Sequence, residues 1–226
     1  MLNKLTVFHG SQQIIEKPVF GKGNPHNDYG LGFYCTESVD LAKEWACSTE
    51  TDGYANQYEL NLTDLSILSL TSGDYNILNW LYILLENRKF RIGGDIAMQA
   101  KNYIFENFAI EYKKYDIVKG YRADDSYFSF ARAFVNNEIS LNQLSYAMQL
   151  GKLGEQVVLK SKKSFDEIKF VSYEVCDNTI YYAKRKSRDD EAREAFNAEL
   201  EKEDINGLFM RDIIREEVTS DDVRLR

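Results

Sequence analysis

The sequence has few of the residues that build metal centres and disulfide frameworks. Among its 226 residues there are two histidines and three cysteines. The irregular spacing of Cys35, Cys47 and Cys176 favours neither disulfides nor a zinc site, so we expect reduced, partly buried thiols. With only His9 and His26 available, we expect no metal, and most acid–base chemistry must fall to carboxylates.

Long apolar runs and excess basic charge are also missing. No run approaches the ~20 apolar residues that span a bilayer, and the N-terminus lacks the apolar block of a signal peptide. We therefore expect a cytoplasmic protein with no membrane contact. The formal net charge of -8 disfavours a general affinity for nucleic-acid backbones, although it leaves a local basic groove possible. A hydrophobic content of 44% is enough for one sizeable domain with an appendage.

The first 46 residues contain the most informative pattern. Residues 5–10 are typical of a short strand, and His9 falls at its end. Residues 29–34 predict a turn followed by a strand that carries Tyr34. Residues 38–46 then predict a capped amphipathic helix that includes Trp45.

The rest of the chain is predicted to alternate strands and helices. Both prolines lie in a turn-rich loop over residues 18–30, which we expect to border a ligand. Periodicity predicts the later elements in this order: strands over 57–62 and 66–70, helices over 74–87 and 95–108, a strand over 115–120, a helix starting near 123, a helix over 141–150 and a strand over 155–160.

The order of these motifs resembles the signature of a known enzyme superfamily. His9-Gly10-Ser11, then residues 30–36, then Trp45 resemble the ADP-ribosyltransferase superfamily, in its diphtheria-toxin-like and poly-ADP-ribose-polymerase-like (H-Y-E type) branch. The sequence is also similar to a related family of small bacterial proteins catalogued only as a domain of unknown function. In that family residues matching 116–120 and 123–125 recur. The resemblance covers roughly residues 5–170. It implies an α+β fold with a split antiparallel β-sheet core, inserted helices and a C-terminal helical tail.

The resemblance also implies that the substrate is NAD and that these segments bind it. His9 is expected to hydrogen-bond a ribose hydroxyl through one imidazole nitrogen while the protein holds the other. Gly10, with Ser11 beside it, is expected to let the nicotinamide carboxamide approach the bare backbone. Tyr34 and Trp45 are expected to frame the nicotinamide ring, and His9 and Tyr34 count among the catalytic candidates.

The third catalytic position of this branch lies on a late strand, where Glu155 and Gln156 stand side by side. Strand side chains alternate, so only one of them can face the cleft. We favour Gln156, with Glu155 as the alternative. A carboxylate would stabilise the positive charge that grows on the ribose, whereas an amide orients the ribose but stabilises less, so Gln156→Glu is expected to raise NAD cleavage. Ala42 also favours weak catalysis or NAD binding alone. Some members of the superfamily have at this position a hydroxyl that holds the carboxamide, and alanine has none.

The resemblance predicts an NAD-dependent mono-ADP-ribosyltransferase that releases nicotinamide. Its acceptor is a protein, a nucleic acid or a small molecule. The alternative is a catalytically weak or inactive NAD-binding or interaction module that keeps the cleft.

The C-terminal part of the sequence differs in composition. We assign residues 1–182 to the NAD-binding domain and residues 183–226 to a charged helical extension. The dense charge over 185–203 is typical of a solvated helix. Residues 205–226 predict a short amphipathic helix, whose apolar side chains need a partner surface on the domain itself or on another protein. These side chains are Leu208, Phe209, Ile213 and Ile214.

Overall fold

Strands and helices alternate along the chain. The computed structural model describes residues 3–89, 93–123, 125–150, 154–202 and 204–225, so Asp124 of the predicted 123–125 motif lies outside the described residues. The strands are β1 (Lys4–Ser11), β2 (Phe33–Cys35), β3 (Gly53–Asn61), β4 (Ile67–Ser69), β5 (Ile117–Tyr121), β6 (Glu155–Leu159) and β7 (Ile168–Cys176). The helices are α1 (Val39–Ala46), α2 (Ile77–Asn87), α3 (Gly94–Asn107), α4 (Asp125–Val135), α5 (Leu141–Gln149), α6 (Lys162–Asp166), α7 (Asn178–Leu200) and α8 (Met210–Arg215), with short 3₁₀ turns at Tyr112–Lys114 and Val223–Leu225. The predicted α+β class with a C-terminal helix is confirmed.

The strands form two sheets, whose edge strands β1 and β2 lie next to each other. One sheet has the order β1-β3-β7 and the other the order β2-β6-β5-β4. All the neighbouring strands pair antiparallel except β4 and β5, which are parallel. An isolated bridge joins the sheets, in which the Phe8 N–H donates to the Thr36 carbonyl at 2.8 Å and the Thr36 N–H donates back at 2.9 Å. The end of β1 therefore lies next to the end of β2.

Apolar layers cover both faces of each sheet. Val7 and Tyr58 of the first sheet pack against Val157 and Leu159 of the second, between the sheets. Val158 points the opposite way, into the large core built with α2 to α5, as the alternation of strand side chains requires. The predicted helices over 74–87 and 95–108 supply much of that core, and α1 covers the other face of the first sheet.

Strand β7 has no counterpart among the predicted strands. A β-bulge explains this, because Tyr58 pairs with Phe170 and Gln57 with Ser172, leaving Val171 unpaired between them. The extra residue shifts the alternation by one position, so Ile168 and Phe170 before the bulge share a face with Tyr173 and Val175 after it, although an even spacing does not connect the two pairs in the sequence. The expected period of two is therefore lost within the strand.

The C-terminal segment packs back onto the domain. Helix α7 runs continuously through the boundary that we drew between residues 182 and 183. The buried side chains of Met210 and Ile213 in α8 join the large core, so the chain itself covers the apolar face of this helix. Helix α7 has 23 residues but is rich in charge. In the described part of the chain, no helix is both long and apolar enough to cross a bilayer.

Candidate functional site

A cavity of about 620 Å³ is lined by residues from both sheets, α1 and α7. This volume lies within the range of about 300–1,000 Å³ that small-molecule sites occupy. Segments that are far apart in sequence meet there. The lining residues are His9, Gly10, Asn24, Asn27, Asp28, Tyr34, Trp45, Arg88, Arg122, Ala123, Gln156, Arg185, Asp189 and Arg193.

The bridge between the sheets fixes the imidazole of His9. The His9 Nδ1 atom lies 2.7 Å from the Tyr34 carbonyl oxygen. A carbonyl only accepts, so Nδ1 carries the proton, and in the neutral ring Nε2 is a hydrogen-bond acceptor. Burial lowers the pKa of His9 below 6.5, although the Tyr34 carbonyl opposes this shift. The environment thus favours the neutral imidazole, with Nδ1 held by the protein as the sequence predicts.

The backbone of Gly10 lies at the free edge of β1. Phe8 uses this edge to pair with Thr36, and backbone groups two residues apart in a strand point to the same edge. The N–H and carbonyl of Gly10 therefore point away from β3, into the gap between the two sheets beside Tyr34. A Cβ on Gly10 would instead meet α1, with Ala46 N only 2.7 Å away. Glycine at this position therefore has two effects. It lets β1 pack closely against α1, and it leaves the backbone N–H and carbonyl of Gly10 accessible.

Two hydrogen bonds hold Tyr34 in place. Its hydroxyl donates to the Gly30 carbonyl at 2.6 Å and accepts from the Tyr29 N–H at 3.1 Å. Burial raises the pKa of Tyr34 well above its ordinary value of 10.0, so the hydroxyl stays protonated. The ring is thus fixed at the cavity wall by the turn that precedes β2.

Trp45 lies on α1, and a guanidinium group already contacts its ring. The Arg122 guanidinium carbon is 3.8 Å from the ring centroid, within the range of a cation–π contact. Ser38 caps α1 by accepting from the Leu41 N–H at 3.3 Å, as the sequence predicts. The cap fixes where α1 begins, and the helix that follows carries Trp45 to the cavity.

Strand β6 directs Gln156 toward the cavity and Glu155 away from it. Gln156 is 5% exposed and lines the cavity, whereas Glu155 does not. The Glu155 carboxylate accepts a hydrogen bond from Thr71 and lies 3.8 Å from the Lys119 ammonium. Among the described residues, the buried Oε1 atom of Gln156 has no hydrogen-bond partner. Gln156 therefore offers the cavity an unused acceptor.

A buried carboxylate, which the sequence did not single out, orients Gln156. The Asp28 Oδ2 atom accepts from Gln156 Nε2 at 3.2 Å and from the Ala123 N–H at 2.8 Å. Its Oδ1 atom accepts from Arg88 Nε at 2.8 Å. Burial raises the pKa of Asp28, and Arg88 and the Ala123 N–H oppose that rise. Because the carboxylate accepts, the amide nitrogen of Gln156 faces it and Oε1 is left for a ligand.

Helix α7 closes one side of the cavity. Arg185, Asp189 and Arg193 line it and are spaced four residues apart, so they share one face of the helix. Most of α7 is exposed to solvent, as the charge density over 185–203 predicts, but this face also lines the cavity. Charges on the cavity face and charges on the solvent face have the same appearance in a sequence.

The remaining predicted positions lie around the cavity. Ser11, at the end of β1, is outside the lining, and its Oγ atom accepts from the Gln13 N–H at 3.1 Å. Asn24, Asn27 and Asp28 come from the 18–30 loop, which the sequence predicts to border a ligand. The turn composition of that loop is the one sequence signal that leads to Asp28. No comparable signal identifies the arginines of the cavity.

Comparison with family models gives one match. The model described as protein of unknown function (DUF3990) matches residues 5–170. The chain belongs to this family. No curated protein and no solved structure matches it.

The DUF3990 region supplies most of the cavity but not all of it. Its matched residues, 5–170, include every cavity residue from His9 to Gln156. The three α7 residues lie beyond the match. This member of the DUF3990 family thus completes its cavity with a helix from outside the matched region.

Proposed function

We propose that this protein is an NAD-dependent mono-ADP-ribosyltransferase and that the cavity is its NAD site. The observation that carries the proposal is the meeting of His9, Gly10, Tyr34, Trp45 and Gln156 in one cavity. They come from four elements, β1, β2, α1 and β6, and the resemblance to ADP-ribosyltransferases assigns each of them to NAD.

The atoms at the surface of the cavity suit the nicotinamide end of NAD. His9 Nε2 accepts a hydrogen bond from a ribose hydroxyl, because Nδ1 is held by Tyr34. The backbone edge of Gly10 has a donor and an acceptor, which together match a carboxamide. The fixed ring of Tyr34 supports one face of the nicotinamide, and Trp45 flanks it with the ring face that Arg122 leaves open.

The reaction breaks the bond between the ribose C1′ and the nicotinamide nitrogen. The bonding electrons leave with nicotinamide, which departs neutral, and positive charge grows on the ribose. A nucleophilic atom of the acceptor then bonds to C1′ and loses its proton to solvent. The Oε1 atom of Gln156 stabilises the developing charge as a dipole, less strongly than a carboxylate would.

An inactive NAD-binding module is the second candidate, and a specific feature favours it. The side chain at the third position is an amide, and the nearest carboxylate, that of Asp28, is bound to Arg88, Ala123 and Gln156. Such a site orients ribose with little electrostatic help for bond cleavage.

Labelled NAD distinguishes the candidates. We would incubate the protein and cell extract with NAD labelled in the nicotinamide or in the adenylate, and follow nicotinamide release and adenylate transfer to protein and nucleic-acid fractions. A transferase releases nicotinamide and labels a fraction, and His9→Ala reduces both whereas the matched control Ser11→Ala does not. Binding of NAD without release supports the module, and absence of binding contradicts both proposals.

A further inference from the structure

The cavity is basic although the chain is acidic. Four arginines line it, against the two carboxylates of Asp28 and Asp189. The whole chain has a formal net charge of -8. A concentration of guanidinium groups against this background favours an anionic ligand, because opposite charges attract strongly in a partly buried site.

Arg185 is the arginine best placed for a ligand. It is half-buried at the cavity wall. Across the described residues, Arg185 has no hydrogen bond or ion pair with another side chain, whereas Arg88 is paired with Asp28 at 2.8 Å. A half-buried guanidinium without a protein partner retains all its donors for a phosphate, whose geometry it matches.

Helix α7 is anchored so that its cavity face is held in place. Arg188, one position from Asp189, forms an ion pair with Glu44 of α1. Further along, the Phe196 ring is 3.8 Å from that of Phe130 on α4, and Ala192 between these anchors is buried. These anchors lie on a face next to the cavity face, which fixes the rotation of α7 about its axis.

We propose that α7 provides a diphosphate subsite, with Arg185 as its main binding group. The inference rests on the proposed function, because NAD carries its two phosphates directly beyond the nicotinamide ribose. With the nicotinamide ribose at His9 and Gln156, the diphosphate continues toward the α7 wall. Arg185 lies outside the region that the family model matches, residues 5–170.

The test compares Arg185→Gln with Lys186→Gln by calorimetric titration. Both variants remove one positive charge from the same turn of α7, but Lys186 is exposed and outside the cavity. The ligands are NAD, nicotinamide riboside and inorganic pyrophosphate. Arg185→Gln is expected to weaken NAD and pyrophosphate binding about tenfold and to leave the riboside unchanged, because a charge-assisted hydrogen bond is lost. Lys186→Gln is expected to match wild type for all three ligands.

Two outcomes would overturn the subsite. One is equal NAD affinity for wild type and Arg185→Gln, which would show that Arg185 does not bind the diphosphate. The other is failure of the wild-type protein to bind pyrophosphate. If NAD and the riboside both fail to bind, the proposed function is wrong, and the pyrophosphate titration alone decides the subsite. Thermal unfolding of both variants checks that α7 remains folded.

Discussion

At the scale of single residues, the contact between Gln156 and Asp28 determines which atoms this part of the cavity offers to a ligand. Alternation along β6 requires that Glu155 and Gln156 face opposite ways, but it does not indicate which one faces the cavity. The deciding contact is with Asp28, which is 128 positions away in sequence. No local pattern contains a contact of that kind.

The Asp28 carboxylate changes the expectation for Gln156→Glu. The introduced carboxylate would lie about 3.2 Å from Asp28, and two buried like charges at that distance oppose each other's ionisation. We therefore expect the single variant to release nicotinamide no faster than wild type. The double variant Asp28→Asn/Gln156→Glu restores an amide–carboxylate pair and is expected to release it faster. A single variant faster than the double one would contradict this account, and nicotinamide release measures both.

The neutral imidazole of His9 predicts a specific pH dependence. Burial lowers its pKa, so the unfolded chain takes up a proton near pH 6.5 while the folded chain does not. The stability contributed by neutral His9 is therefore present above that pH and is lost as the pH falls below it. On the proposed function, in which Nε2 accepts from NAD, NAD affinity is expected to be constant from about pH 8 down to about pH 6.5 and to fall below that.

Calorimetric titration across this range provides the check. His26→Gln is the matched control, because it removes the chain's other histidine, and it should keep the acid decrease. A decrease in NAD affinity centred at or above pH 6.5 would show that the ring is not kept neutral.

At the scale of elements, the joint between β1 and α1 combines packing with the open backbone edge. Gly10→Ala would push a methyl group into the α1 backbone at Ala42 and Ala46. We expect the free energy of unfolding to fall by about 1–3 kcal/mol, as for other overpacked sites. Gly93→Ala is the control, because a Cβ there meets no atom within 4 Å. Urea unfolding measures both, and equal stabilities would contradict the close packing.

Helix α7 packs against the rest of the chain through its buried side chains. The Phe196 side chain is 6% exposed and packs on Phe130. We expect Phe196→Ala to lower the free energy of unfolding by about 3 kcal/mol, the lower end for a buried aromatic residue. The control is Leu200→Ala, whose side chain is 42% exposed and which should change stability little. Similar losses from both substitutions in urea unfolding would argue against α7 as a packed wall.

The sequence indicates most of the individual elements but not how some of them are used. Periodicity predicts α1, α2 and α3, and the cap residue Ser38 also marks where α1 begins. Strand β7 is missed because its bulge at Val171 shifts the side-chain alternation by one position. The role of α7 is missed because a charged helix face that lines a cavity resembles one that faces solvent.

At the scale of the whole molecule, the cavity depends on the separation of the two sheets. The Phe8–Thr36 bridge brings His9 to Tyr34, β6 brings Gln156, and α7 closes the side. The five residues that meet there could be chosen from the sequence through a resemblance to ADP-ribosyltransferases. Their surroundings of Asp28 and the arginines arise only from tertiary contacts, which no short motif contains.

Calorimetric titration of NAD into the wild-type protein, His9→Ala and Ser11→Ala tests the central claim most directly. We predict saturable binding at one site in wild type and in Ser11→Ala. In His9→Ala we predict an affinity about fivefold lower, since one hydrogen bond contributes about 1 kcal/mol. Absence of NAD binding by the folded wild-type protein, or the same affinity in all three proteins, would contradict the assignment of the cavity to NAD.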